Sequence, residues 1–431
     1  MKNKKRERTF LGSVIYFFRS IFGRIRDMRL LERLKYRQRN LAGYNNEVSP
    51  TECSQKAYLF GVAKVSFIVL FIAVTLAILL FGGRIFSYDN VYYMFKDIEY
   101  ISSFSEGRPE VLNFSKPVNN QHFGSFKNGL AVVSDSELKL FTSTGRVTLT
   151  DGSGYVNPKI VTSSNNAIVY DGGRRSYSVY NSFVKLHSDI LEYPIASVDM
   201  ADDGSYIIVT KSKKYPSVVQ IYDSDFELVS EYSKNDHIIS AEISDNGKYI
   251  AVASLDAREG ESLVTLNILK SDSERLHSSV KIRGTMPYKC SFIANDRVAL
   301  ICSDRICVYD LRGNVKGEYR YLSRLFDLHV NDGTILTLFD FDGSGKGNTV
   351  VLFDKNGKDV FSKEIDGNVR DAVYSGNCIY LLRDTDVVRI DTTFGVASHL
   401  NYTFEVASLQ VVSSGEVVLC TETTAYYLNF K

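Results

Sequence analysis

The sequence predicts an all-β fold: a β-propeller of eight blades, seven being the alternative count, preceded by one transmembrane helix and an N-terminal amphipathic helix. Three observations carry this reading. From about residue 120 onward, short β-branched and aromatic runs alternate with Gly, Asp, Asn and Ser clusters. The pattern "SVDMADDGSYIIVT" at 197–210 returns as "SAEISDNGKYIAVA" at 240–253. An apolar run without a charge occupies 65–83.

Composition sets the outer limits. With 431 residues, 44% hydrophobic, 23% charged and 7 Pro, the chain is globular and disorder is excluded as its default state. The net charge of +1 hides an asymmetry: residues 1–57 hold 14 Lys/Arg against 5 Asp/Glu, whereas the chain beyond Tyr88 holds 35 against 45. This divides the chain into a basic segment at 1–57, a transmembrane segment at 58–86, a juxtamembrane stretch at 87–119 and the propeller at 120–431.

Within the basic segment, Phe10, Val14, Phe17, Phe18, Ile21, Phe22, Ile25, Met28 and Leu31 recur at steps of three and four, one face of a helix over about 9–37. Arg19, Arg24, Arg26, Arg29 and Arg33 occupy much of the remainder. A basic helix rich in Phe suits the interface of an anionic membrane; a partner protein, or a leader that only sets topology, are the alternatives. Clustered Arg without a recognition motif gives no ground for nucleic-acid binding.

The run "VSFIVLFIAVTLAILLFGG" spans roughly 28 Å as a helix, close to the hydrocarbon thickness of a bilayer. Only Ser66 and Thr75 interrupt it, too few for the polar stripe of an ordinary surface helix. A cleaved signal peptide would have a shorter leader and a small-residue cleavage site, which "GGRIFSYDN" lacks. Basic residues crowd its N-terminal side, so the expectation is a single-pass protein of the cell membrane, N-terminus cytoplasmic and propeller extracellular.

Beyond the span, units begin near Gly124, Asn157, Ile195, Ile238, Tyr288, Leu325, Val369 and Glu405, about 30 to 45 residues each. In each, a first strand meets a polar turn such as "ADDG" or "SDNG", where Gly supplies positive φ and Asp or Asn binds its own backbone. A hydrophobic strand follows, then a third that ends in an aromatic and an acid or amide: "SVYN", "QIYD", "CVYD", "VLFD". The last unit stops after its third strand, so "PEVLNFS" at 109–115 is expected to close the ring as its fourth.

The stretches "GYVNPKIVTSSNNAIVYDGGRRSYSVYN", "YPIASVDMADDGSYIIVT" and "ISAEISDNGKYIAVASL" resemble an uncharacterised family of Gram-positive bacterial proteins. The resemblance implies a basic N-terminus, one membrane helix and a propeller-like ectodomain, with no assigned activity. The third and fourth strands resemble, more distantly, quinoprotein-like and WD40-like propellers. The absence of Trp removes the Trp-docking motifs and the Trp-Asp ending, which argues against pyrroloquinoline quinone.

Motifs for chemistry are few, and no catalytic residue or cofactor is expected. Asp340, Asp342, Ser344 and Asn348 in "DFDGSGKGN" match the first, third, fifth and ninth places of a calcium loop, but Val351 holds the place of the bidentate acid. A long hairpin loop is the simpler reading. "GSGKGN" lacks the order of a phosphate loop, and the six His have no helical zinc spacing. Cys302 and Cys307 flank a short turn, where buried thiols are expected over a disulfide. "GGRR", with Arg174 and Arg175, and "KSKKYP", with Lys211, Lys213, Lys214 and Tyr215, place cations and an aromatic in loops of an acidic domain. They are the candidate partner-binding loops, for an envelope protein or a cell-wall ligand. The expected function is therefore a membrane-anchored binding, scaffold or sensor module; the alternative is an extracytoplasmic glycan-active hydrolase or lyase with its site in the central channel.

Overall fold

The computed structural model describes residues 64, 66–72 and 111–430, apart from 259, 274, 332, 342, 344–346 and 414–415. Residues 64 and 66–72 are helical, and among the described residues no helix is long and apolar enough to cross a membrane. Phe10, Phe17, Phe18, Phe22 and Arg19 to Arg33, with most of the apolar run, lie outside the described residues.

The remainder is antiparallel sheet. β1 (Val111–Asn113) stands apart in sequence from the sheet it joins. β2 (Gln121–Phe126), β3 (Gly129–Ser134), β4 (Glu137–Phe141) and β5 (Val147–Gly152) pair in that order. So do β6 (Pro158–Thr162), β7 (Ala167–Asp171), β8 (Ser176–Tyr180) and β9 (Lys185–Ile190). The next such sheet holds β10 (Ser197–Met200), β11 (Tyr206–Thr210), β12 (Ser217–Tyr222) and β13 (Leu228–Lys234). Then come β14 (His237–Ile243), β15 (Tyr249–Arg258), β16 (Glu261–Lys270) and β17 (Leu276–Arg283), and β18 (Pro287–Ala294), β19 (Arg297–Cys302), β20 (Arg305–Asp310) and β21 (Val315–Arg320).

A seven-stranded sheet follows: β22 (Arg324–Asn331), β23 (Thr334–Asp340), β24 (Gly347–Asp354), β25 (Asp359–Ser375), β26 (Cys378–Arg383), β27 (Asp386–Asp391) and β28 (Ala397–Asn401). β25 is two strands in one. Asp359 to Glu364 pair with β24, and Val369 to Ser375 pair with β26, so its halves serve as fourth strand of one group and first strand of the next. The final sheet runs β1-β31-β30-β29, from β29 (Ser408–Ser413), β30 (Glu416–Cys420) and β31 (Thr424–Asn429).

Burial explains the repeated pattern. The second strands "AIVYD" and "YIIVT" are buried at every residue, because each sheet is covered on both faces. Fourth strands such as "KLHSDI" are mostly exposed and form the outer edge. The first strands pack side by side in the series β2, β6, β10, β14, β18, β22, the second half of β25, and β29, and β29 returns to β2. Cores therefore lie between neighbouring sheets: Tyr177 of β8 joins Tyr206 and Tyr222 of the next, the last two stacked at 4.7 Å.

β1 completes the last sheet from the other end of the domain. Leu112 sits opposite Ala425 and is 3% exposed, and the Phe114 N–H donates to the Thr423 carbonyl at 3.0 Å. In five of the groups an acid or amide ends the third strand and folds the next turn: Asp223 Oδ1 accepts from the N–H groups of Asp225 and Glu227, and Asp310, Asp354, Asp391 and Asn181 do the same in their own turns.

The five cysteines described are free and buried in strands. Cys307 pairs across with Leu300, which leaves Cys302 on the diagonal within the same core, without a disulfide. Burial pushes the thiols of Cys290 and Cys302 up to about 12, so both stay protonated hydrophobes.

Candidate binding surface

Alternating strand direction divides every connection between two faces. Turns from first to second strand, and from third to fourth, lie on one face; loops from second to third, and from fourth to the next first strand, lie on the other. Backbone bonds verify the second grouping. In β7 to β8, the Arg174 carbonyl accepts from Ile195 N–H at 2.6 Å, and in β19 to β20 Ser303 N–H reaches the Met286 carbonyl at 2.8 Å.

On the turn face, the paired motifs hold neighbouring sheets together. Asp202 of "ADDG" donates its N–H to the carbonyl of Asp245 in "SDNG" at 2.9 Å, and its Oδ1 accepts from Ser164 N–H at 2.8 Å on the other side. Asn246 continues the chain by donating its N–H to Asn295 Oδ1 at 3.1 Å. Gly247 has φ of 68°, the left-handed region that favours glycine, and a Cβ there would also push the Asp203 carboxylate aside. A cavity of about 520 Å³ opens on this face, bordered by Ser125, Asn128, Ser164, Ser375 and Val411.

The loop face gathers what the sequence scattered. Arg174 and Arg175 sit between β7 and β8, and Lys211, Lys213, Lys214 and Tyr215 between β11 and β12 of the adjacent sheet; all the cations are exposed. Hydrogen bonds tie the two loops through 194–195, since Thr210 Oγ1 donates to the Pro194 carbonyl at 2.9 Å and Ile195 binds Arg174. Beside them β15 and β16 run ten residues each, so their hairpin continues past Leu255, where its pairing to β14 ends. Farther round, Met286, Tyr288, Leu322 and Phe341 are 54%, 55%, 82% and 46% exposed on loops and strand ends of two neighbouring sheets.

Of the four calcium candidates, two are described. Asp340 is buried, Asn348 Oδ1 accepts from Phe341 N–H at 3.0 Å to shape a hairpin loop, and Asp342 and Ser344 lie outside the described residues. Among the described residues no group of three His, Cys, Asp or Glu is placed to hold a metal.

Interior charges that the sequence reading passed over come together on the first strands. Ile243 N–H donates to Asp199 Oδ2 at 2.8 Å, and Ser291 Oγ and Phe292 N–H donate to Glu242 Oε2 at 2.6 and 3.1 Å. Lys289 Nζ lies 3.0 Å from Glu242 Oε1, and Asp371 accepts from the Leu409 N–H. Each of these acids binds a backbone N–H on the first strand of the next sheet, so they fasten the ring from within. Burial, then the Glu242 charge, push Asp199 up to about 8. Burial, then Lys289, hold His329 below its ordinary value, and burial with Lys159 does so for His122. The signal was present: "SVDM" and "SAEI" place one acid at the same register in otherwise apolar strands.

Sheets of four antiparallel strands arranged in this way define a protein of the β-propeller class, with repeated turns on one face and variable loops on the other. The chain belongs to the DUF5711 family, a family of unknown function, whose pattern matches residues 109–428. No curated protein matches its sequence. Among solved structures, BamB from Moraxella catarrhalis is similar with a TM-score of 0.50 and 11% identity, over 74% of this chain and 98% of that one. Sqt1 from Saccharomyces cerevisiae is similar with a TM-score of 0.52 and 10% identity, over 76% and 98%. At such identities the likeness defines the fold alone.

Proposed function

We propose that the chain is a membrane-anchored, eight-bladed propeller that serves as an extracytoplasmic binding or scaffold module, with its loop face as the recognition surface. The carrying observation is the gathering of both cationic loops, the long hairpin and the exposed apolar group on that one face. The eight-blade count is supported by the series of first strands, with β25 divided between two blades. Anchoring is supported by the uncharged run 65–83 and by the exposed apolar side chains of Phe67 to Ile72 around a helix. No cofactor is part of this reading, and N-terminus inside with propeller outside follows the charge asymmetry.

The test is crosslinking in cells followed by pull-down, comparing the full chain, a deletion of 9–34, and a chain with Arg175, Lys211, Lys213 and Lys214 changed to Gln. A reproducible partner lost with the loop variant is the expected result; the same capture by all three would remove the loop face from the reading.

One observation favours a channel enzyme as the second reading: Asp199, Glu242, Lys289 and His329 come from consecutive first strands. The bonds that Asp199 and Glu242 make to the next strand favour a structural role instead. Glycan turnover lost in Glu242→Gln with an unchanged melting temperature would reverse that preference.

A further inference from the structure

We infer that residues 172–175 and 211–216 form one anion-binding patch, and that its ligand is a polyanion, an extended chain bearing repeated phosphate or carboxylate groups. This rests on the loop face being the recognition surface and names the chemistry recognised there.

The loops present their cations on a fixed frame. Gly173 N–H and Arg174 N–H are bound by the carbonyls of Ile195 and Asp171 at 2.9 Å each, and Leu191 N–H is bound by the Arg175 carbonyl at 2.9 Å. In the second loop, Ser212 N–H donates to the Tyr215 carbonyl at 2.9 Å and Tyr215 N–H to Ser212 Oγ at 3.0 Å, while Lys214 Nζ lies 5.0 Å from the Tyr215 ring centroid. The Tyr193 hydroxyl, between the Glu192 carboxylate and the Lys213 N–H, joins the connecting segment to the second loop.

The charges on this frame are largely uncompensated. Arg174 has a carboxylate, Asp171, at 3.7 Å, but Asp171 already accepts from the N–H groups of Val156 and Asn157 at 3.2 and 2.7 Å. Among the described residues Arg175, Lys211, Lys213 and Lys214 have no carboxylate within ion-pair distance. In a domain whose charge is otherwise acidic, the five cations of the two loops outnumber the two carboxylates on their frame, Asp171 and Glu192, and give the patch a net positive charge.

Exposure then selects the ligand. A single small anion needs a dehydrated socket, whereas these side chains are exposed; each exposed contact is individually weak and screened by salt. Several weak contacts to one chain act together, with release of the counterions that each partner held. Lys supplies point charges and Arg a planar fork, both suited to phosphate and carboxylate oxygens.

The full chain in detergent is titrated with long-chain polyphosphate and, separately, with poly-L-glutamate, and hydrogen exchange is followed across 170–216. Either polymer should protect 172–175 and 211–216, the preferred one identifying phosphate or carboxylate as the recognised group. With four contacts, loop protection should weaken roughly a hundred-fold between 50 and 200 mM salt. The fourfold Gln variant should lose that protection, whereas Lys→Arg at 211, 213 and 214 should keep it; the basic N-terminal segment is common to all forms and cancels in the comparison. Protection by neither polymer, protection unchanged in the Gln variant, or protection only by phosphatidylglycerol vesicles overturns the inference. A protein partner still captured through these loops would then leave the binding-module reading standing without the polyanion.

Discussion

The two faces of the ring are built from the same strands and differ in almost everything else. On the turn face, "ADDG" and "SDNG" repeat in register and hydrogen-bond to one another, so their polar groups are consumed by architecture. On the loop face, connections vary in length and composition, and among the described residues four of their cations have no carboxylate within ion-pair distance. Polar sequence is therefore no guide to function in this fold until one asks which end of the strand it occupies.

The comparison can be broken at the closing sheet first. Leu112→Ala removes a side chain that is 3% exposed and should cost about 2–5 kcal/mol, read as a drop in the denaturation midpoint. A loss near zero would mean that β1 does not seal the ring. Gly247→Ala on the turn face meets both positive φ and the Asp203 carboxylate and should cost about 1–3 kcal/mol. Gly173→Ala on the loop face, with φ of 78° and no atom near its Cβ, should cost less, and equal losses would erase the contrast.

The interior acids respond to pH. Asp199 is raised above its unfolded value, so the stability it contributes is fully present below the carboxylate range and is lost as pH rises through about 8. Asp199→Asn keeps an acceptor for Ile243 N–H and should flatten the fall in melting temperature between pH 5 and about 8; an unchanged slope would assign the effect elsewhere. Asp310→Ala releases the N–H groups of Arg312 and Asn314 and should cost about 1 kcal/mol by chemical denaturation. Smallest of all, Gln at Arg175, Lys211, Lys213 and Lys214 should leave stability within about 0.5 kcal/mol of the parent, since these side chains pack on nothing that folding requires.

Strand grammar was legible because it repeats: a turn glycine after an acid or amide, an aromatic before an acid or amide, a largely apolar second strand. Asp223, Asp310 and Asp354 were legible as the ends of third strands, and the structure adds that each folds its own turn. Asp199, Glu242 and Asp371 were not legible as a group, since each meets the next first strand only when sheets stand side by side. The cationic loops could be named from sequence, but their adjacency comes from strand direction. Met286, Tyr288, Leu322 and Phe341 gave no warning, because isolated apolar residues in β sequence read as core.

β1 also sets a timetable for biosynthesis. It leaves the ribosome before every other strand described, yet its partner, around Ala425, is translated about 300 residues later, some 15 to 60 s at ordinary elongation rates. Until then β1 lacks the strand it pairs with, and the final sheet that packs between its two neighbours is incomplete. The short length of β1, three residues, keeps its own edge a poor template for other chains during the wait.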